Sequence, residues 1–407
     1  MPGRVREDGG VMRWTSGTER FAPAAATGGA RRSPAWWAGL DAARGLALIG
    51  LMAVQVLPGH HAVTPAPAWP HLFLSEASAA LFILLAGVGL ALGSGGRFPH
   101  RGRWLVADRV GLAVRAVLIA VVGLGLGALM PGDAPADNLL ICCGVLFVLA
   151  IPFLRLSATA LFVCAAVLWM VGPLLVQGVT DVLPAPASAH PAFADVPAEP
   201  GGTVSRLLVT GTYPALPYLS CLLVGLGVGR MNLRDTGIQV RLLAAGAGLV
   251  VLARTADPFG PYVVGGHGRV PATGGTGTDE LAEVLVRGPD PWPVEGVWAI
   301  AAGLGVALLV LGGCLLVSRR AGAWSVRLSA VGAMGLSVYT AHLVALSVEI
   351  RYDLPVIWSV AHLGAAVLLA VGWRRALGRG PLERVLDAVG DAGRRTVLHR
   401  QGRLHRT

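Results

Sequence analysis

Apolar runs follow one another along most of the chain, at 38–57, 77–95, 110–130, 138–154, 157–178, 214–229, 238–253, 295–317, 328–349 and 354–373. Most reach the roughly 20 residues that carry a helix across about 30 Å of hydrocarbon. Those at 138–154, 214–229 and 238–253 are shorter. Glycine and proline inside the runs are tolerated in membrane helices, where small residues let backbones approach. The pattern predicts an all-α polytopic membrane protein of about ten transmembrane helices.

The flanks read differently. Residues 1–35 are polar, rich in Gly, Ala and Arg, and lack the apolar centre of a cleavable signal peptide. Arg31 and Arg32 precede an apolar run, but Asp41 and Arg44 interrupt it, which argues against a twin-arginine signal. The expected organisation is a disordered cytoplasmic extension at 1–35, a transmembrane domain at 36–375 and a basic cytoplasmic tail at 376–407.

Composition narrows the class. The chain is 54% hydrophobic and only 14% charged, against roughly 25% charged in soluble domains. That excludes a soluble enzyme, a disordered chain and a nucleic-acid module. The net charge of +10 comes entirely from arginine, since the chain holds no lysine. With the N-terminus inside, only Arg206, Arg254, Arg269, Arg287 and Arg351 of the 33 basic residues fall on outer segments. This asymmetry predicts both termini in the cytoplasm of a multi-pass protein of the cell membrane. It accounts for the basic charge without nucleic acid and leaves membrane lipids as partners, their anionic head groups within reach of the tail. Cys142, Cys143, Cys164, Cys221 and Cys314 sit in apolar runs without metal-ligand spacing and read as small packing residues.

Polar residues within apolar runs mark candidate chemistry, because a charge in hydrocarbon faces a partner or a cavity. In the first run Asp41 and Arg44 share a face, and Gln55 returns to it three turns later, about 16 Å higher. The bland account is an ion pair that orients the helix. In the ninth run Tyr339, His342 and Glu349 share a face. Counted along a straight helix, His342 reaches about the depth of Gln55, some 22–25 Å from the inner start. Both lie nearer the outer surface, where one polar cavity could hold them. His60 and His61 follow the first run in a Pro-rich turn and suit either a general base or a solvated turn. His190, His267 and the glycine-rich 254–294 segment read as solvated loop. No phosphate-binding loop, nucleophile elbow or zinc motif is present, and no metal is expected.

The ordered set LDAARGLALIGLMAV (40–54), ALFILLAGVGLALGSGGR (80–97), GTYPALPYLSCLLVGLGVGRMNL (211–233), LSAVGAMGLSVYTAHLVAL (328–346) and RRALGRGPLERVL (374–386) resembles the bacterial heparan-alpha-glucosaminide N-acetyltransferase-like membrane proteins of the wider transmembrane acyltransferase group. The resemblance implies transfer of an acyl group from a cytoplasmic acyl-CoA, typically acetyl-CoA, to an extracytoplasmic hydroxyl or amine acceptor, often a sugar. In that group a first-helix Arg, matched by Arg44, is followed eleven positions later by a histidine. Here that position is Gln55, which neither takes a proton nor carries an acyl group. A His-Ser-Gly-Thr-Pro stretch of some relatives is replaced by PDPWP at 289–293. The resemblance therefore implies Asp41, Arg44, Gln55 and Tyr339 as substrate-binding residues and leaves His60, His61 or His342 as the catalytic group. The alternatives are an inactive relative that binds a lipid or acyl donor, and a small-molecule transporter.

Reporter fusions test the topology. Those after Gly95, Arg234 and Arg320 are expected to read cytoplasmic and those near Ala187 and Gly275 external; an external signal at Arg320 contradicts it.

Overall fold

The computed structural model describes residues 35–56, 69–130, 138–180, 191–210, 213–256, 292–319, 323–348 and 355–404. Every apolar run is helical, and no strand occurs among the described residues. The helices are α1 (Ala35–Val56), α2 (Trp69–Gly93), α3 (Arg103–Leu129), α4 (Leu139–Ala150), α5 (Ala158–Thr180), α6 (Ala215–Gly229), α7 (Thr236–Ala256) and α8 (Trp292–Val317). The ninth run forms α9 (Ala323–Ala333) and α10 (Gly335–Ser347), followed by α11 (Pro355–Leu377) and α12 (Pro381–Leu404). A 3-10 turn, Ile151–Arg155, continues α4.

Among the described residues, six helices are long and apolar enough to cross a membrane: α1, α2, α3, α7, α8 and α11. The ninth run bends by 82° between its two helices and makes a seventh span only if the pair counts as one. The apolar stretches Leu139–Arg155, Ala158–Gly172 and Ala215–Gly229 are shorter. The break has a tertiary cause. α9 packs along α1 and α11, and the bend lets α10 keep contact with both while adding α3 and α12.

α1, α2 and α8 lie in the interior, while α3, α7 and α11 turn apolar side chains outward, as lipid-facing helices do. Close backbone approach sets the interior crossings. A Cβ on Gly332 of α9 would collide with the Asp41 carbonyl of α1, and one on Gly45 with the Leu328 carbonyl. Between α2 and α6 the contact is reciprocal: Gly87 lies against the Leu222 carbonyl and Gly225 against the Leu84 carbonyl. Without a hydrophobic drive between helices in lipid, such contacts supply the packing energy. Asn138 caps α4, accepting from the Leu140 amide at 3.1 Å and donating to the Gly123 carbonyl of α3 at 2.6 Å.

Arg230, just past α6 and 3% exposed, joins three elements. Its Nη1 donates to the carbonyls of Ala91, Ser94 and Gly96 at 3.2, 3.1 and 2.8 Å. Its Nη2 donates to Ser94 Oγ at 3.0 Å and to the Leu154 carbonyl at 2.6 Å. A cation at the C-terminal end of α2 suits the helix dipole, and its donors take the second acceptor position of carbonyls such as Ala91 and Ser94. Burial pulls the guanidinium down to about 10, with Asp108 opposing the shift, so it is cationic at neutral pH.

The 376–407 segment contains α12, which packs along α3. Arg115 faces Asp387 at 3.5 Å and Asp391 at 3.8 Å, and Arg394 reaches Asp108 at 2.7 Å. Arg230→Ala removes the donors to the Gly96 and Leu154 carbonyls, while Ala91 and Ser94 keep backbone donors, and is expected to cost about 3 kcal/mol, read as a lower unfolding midpoint in detergent. Arg230→Lys is expected to recover only part of this, because an ammonium lacks the guanidinium fork.

Candidate functional site

Where α1 begins, α2 ends and α3 begins, the bundle holds a cavity of about 330 Å³, at the small end of ligand pockets. Its apolar wall includes Leu48, Phe82, Leu85, Phe147, Leu154 and Leu336. Its charged wall is Arg44 from α1, Asp108 and Arg115 from α3, and Glu383, Asp387 and Arg394 from α12. The hinge residues Gly332, Ala333 and Gly335 also line it. Gly89 of α2 leaves room for Arg44, since a Cβ there would sit 3.2 Å from its Nη2.

Arg44 bonds Asp41 at 3.1 Å, as their spacing predicts, and their side chains are 30% and 21% exposed. The pair therefore orients α1, and Arg44 also faces the cavity.

Gln55 and Tyr339 meet elsewhere. Gln55 Nε2 donates to Tyr339 Oη at 3.0 Å, and the Leu139 amide donates to the same oxygen at 3.5 Å. Both side chains are buried, and neither lines the Arg44 cavity. The first and ninth runs are thus in contact, but Arg44 and Gln55 do not share this cavity.

His342, three residues beyond Tyr339, turns toward α11. Its Nδ1 lies 3.0 Å from Nδ1 of His362, so one ring donates and the other accepts. Its Nε2 is buried with no partner among the described residues. The chain turns between Ala333 and Gly335, so rise along one straight helix no longer measures how deep His342 lies. His60, His61 and Glu349 lie outside the described residues.

Several residues of the cavity end were not singled out from the sequence. His100 Nδ1 lies 2.6 Å from Asp108 Oδ2, while Arg394 holds the other carboxylate oxygen. The loop before α3 presents His100, its amide donating to the Ser94 carbonyl at 3.2 Å. Gly95 and Gly102 shape that loop with φ of +104° and +56°, values that favour glycine. Glu383 accepts from the Ser337 amide at 3.0 Å and from the Ser337 hydroxyl. Its carboxylate thus sits at the start of α10, where free amides and the helix dipole favour an anion. Helix-start signals, Pro381 at the first position and Glu383 in the first turn, were available in the sequence for α12. His362 and His100 carried no comparable signal, because tertiary packing and a loop bring their partners to them. Among the described residues, no three His, Cys, Asp or Glu side chains gather as a metal site.

A helical bundle with several apolar spans and a charged cavity at one end defines a polytopic membrane protein. The family model described as heparan-alpha-glucosaminide N-acetyltransferase, catalytic, matches residues 37–256, more than half of the 407, and the chain belongs to that family. The match covers α1 to α7; the hinge and α12, which complete the cavity, lie beyond it. No curated protein matches the chain.

Tyr339→Phe removes the oxygen that serves both Gln55 and the Leu139 amide. The expected cost is about 1–3 kcal/mol, read as a lower unfolding midpoint; an unchanged midpoint means this junction is not structural.

Proposed function

We propose that the chain is an integral membrane acyltransferase whose Arg44 cavity takes part of an acyl-CoA, acetyl-CoA in the first instance. The acyl group passes to a hydroxyl or amine acceptor, sugar-like and extracytoplasmic as the resemblance implies. The cell membrane is the expected location, with the cavity on its cytoplasmic side, where the arginine asymmetry puts the start of α1.

The observation that carries this reading is Arg44. It lies on the first helix of the family match and faces a cavity to which Arg115 and Arg394 also contribute. Guanidinium groups suit phosphate and carboxylate through paired N–H donors, and the apolar wall suits the acyl arm. Asp41 holds Arg44 in place. The catalytic group is assigned to His60, His61 or His342. A second reading, donor binding without transfer, is favoured by Gln55, whose amide is already committed to Tyr339.

Titration calorimetry with acetyl-CoA on detergent-solubilised protein tests the site. Arg44→Lys is expected to weaken binding about tenfold while expression survives, because the charge is kept. Unchanged affinity returns Arg44 to a purely orienting role. Acetyl-CoA binding with no transfer to any sugar hydroxyl or amine tried selects the second reading.

A further inference from the structure

α12 divides its charges. Its acids Glu383, Asp387 and Asp391 meet Ser337 and Arg115 of the bundle, with the Asp387 and Asp391 side chains still about half exposed. Its most exposed side carries Val385, Ala388, Val389 and Ala392 beside Thr396 and His399, and Arg384 and Arg395 lie along one edge of it. An outward face that is apolar along its middle with two arginines on one edge matches the boundary of an anionic leaflet.

The placement of α12 agrees. α11 exposes Val356, Ile357, Val360 and Leu368, the lipid-facing side of a membrane span. Its last turn carries Arg374 and Arg375, and α12 begins four residues after α11 ends. The turn passes through Gly378 at φ +81°. The chain therefore leaves the hydrocarbon and enters α12 at head-group depth.

We propose that α12 is an interfacial helix whose outward face binds the anionic head groups of the surrounding leaflet. Through Glu383, Asp387 and Arg394 the same helix forms one wall of the Arg44 cavity, so lipid seating fixes that wall. This last clause gains a functional meaning only if the acyl-CoA reading of the cavity holds; the seating stands without it.

The test is hydrogen exchange on the full chain in nanodiscs, with phosphatidylcholine alone or mixed with phosphatidylglycerol. Each interfacial arginine contributes roughly fivefold to anionic-lipid binding. Exchange of the α12 amides is expected to slow by about 25-fold in the anionic discs, and the first turn of α10, capped by Glu383, to slow in parallel. Raised salt is expected to reverse both. The double variant Arg384→Gln/Arg395→Gln, outside the cavity, is expected to lose the lipid dependence while keeping the fold. Equal exchange in the two disc types overturns the proposal, as does a double variant that still responds to anionic lipid. Protection that depends on two copies per disc overturns it in favour of a self-interface. Acetyl-CoA binding measured on the same discs reports separately on the Arg44 cavity.

Discussion

A guanidinium buried at a bundle end must find its acceptors inside the protein, and Arg230 finds five. The rest of this bundle end is strung from that grip. Arg230 fixes the loop after α2; the loop presents His100; His100 holds Asp108; Asp108 holds Arg394 of α12; and α12 places Glu383 on α10. The Arg230 and Glu383 links are hydrogen bonds with a charged partner, the stronger kind, and Arg394–Asp108 is an ion pair. Helices that lipid does not drive together are thereby tied at one end, while glycine-lined crossings pack them along their length.

The two devices differ in what they tolerate. A glycine crossing fails when side-chain volume is added, since the neighbouring carbonyl cannot retreat without moving its helix. The polar chain fails when one member is removed, since a buried partner is then left alone. The cavity lies where the two meet. Gly89 leaves room there for Arg44, Gly332 brings α9 against α1 beside it, and arginines and acids of α1, α3 and α12 give it its charges.

Hydrophobic patterning made the helices legible, because crossing lipid demands long apolar runs, and all the predicted runs are helical. The Asp41–Arg44 pair was legible from its spacing along one helix. The break at Gly335 was not, because no proline or charge interrupts the run there and the contacts α10 adds to α3 and α12 are far away in sequence. Nor was the separation of Gln55 from Arg44. Eleven residues return to one face of a helix, but whether that face meets one cavity or two depends on what packs against it. Here the Arg44 end faces α12 and the hinge, and the Gln55 end meets Tyr339. Glu383 was overlooked because its partner, Ser337, lies 46 residues earlier in the chain.

The carboxylate of Glu383 at the start of α10 has a consequence for selectivity. A helix N-terminus facing a cavity is a ready seat for any small anion. This one is filled by a group tethered to the protein, and a tether of this kind keeps the local concentration at about the millimolar level or above. An incoming anion competes with that resident carboxylate at every encounter. The start of α10 is thus neutralised from within, and its Ser337 amide is already spoken for on the cavity side.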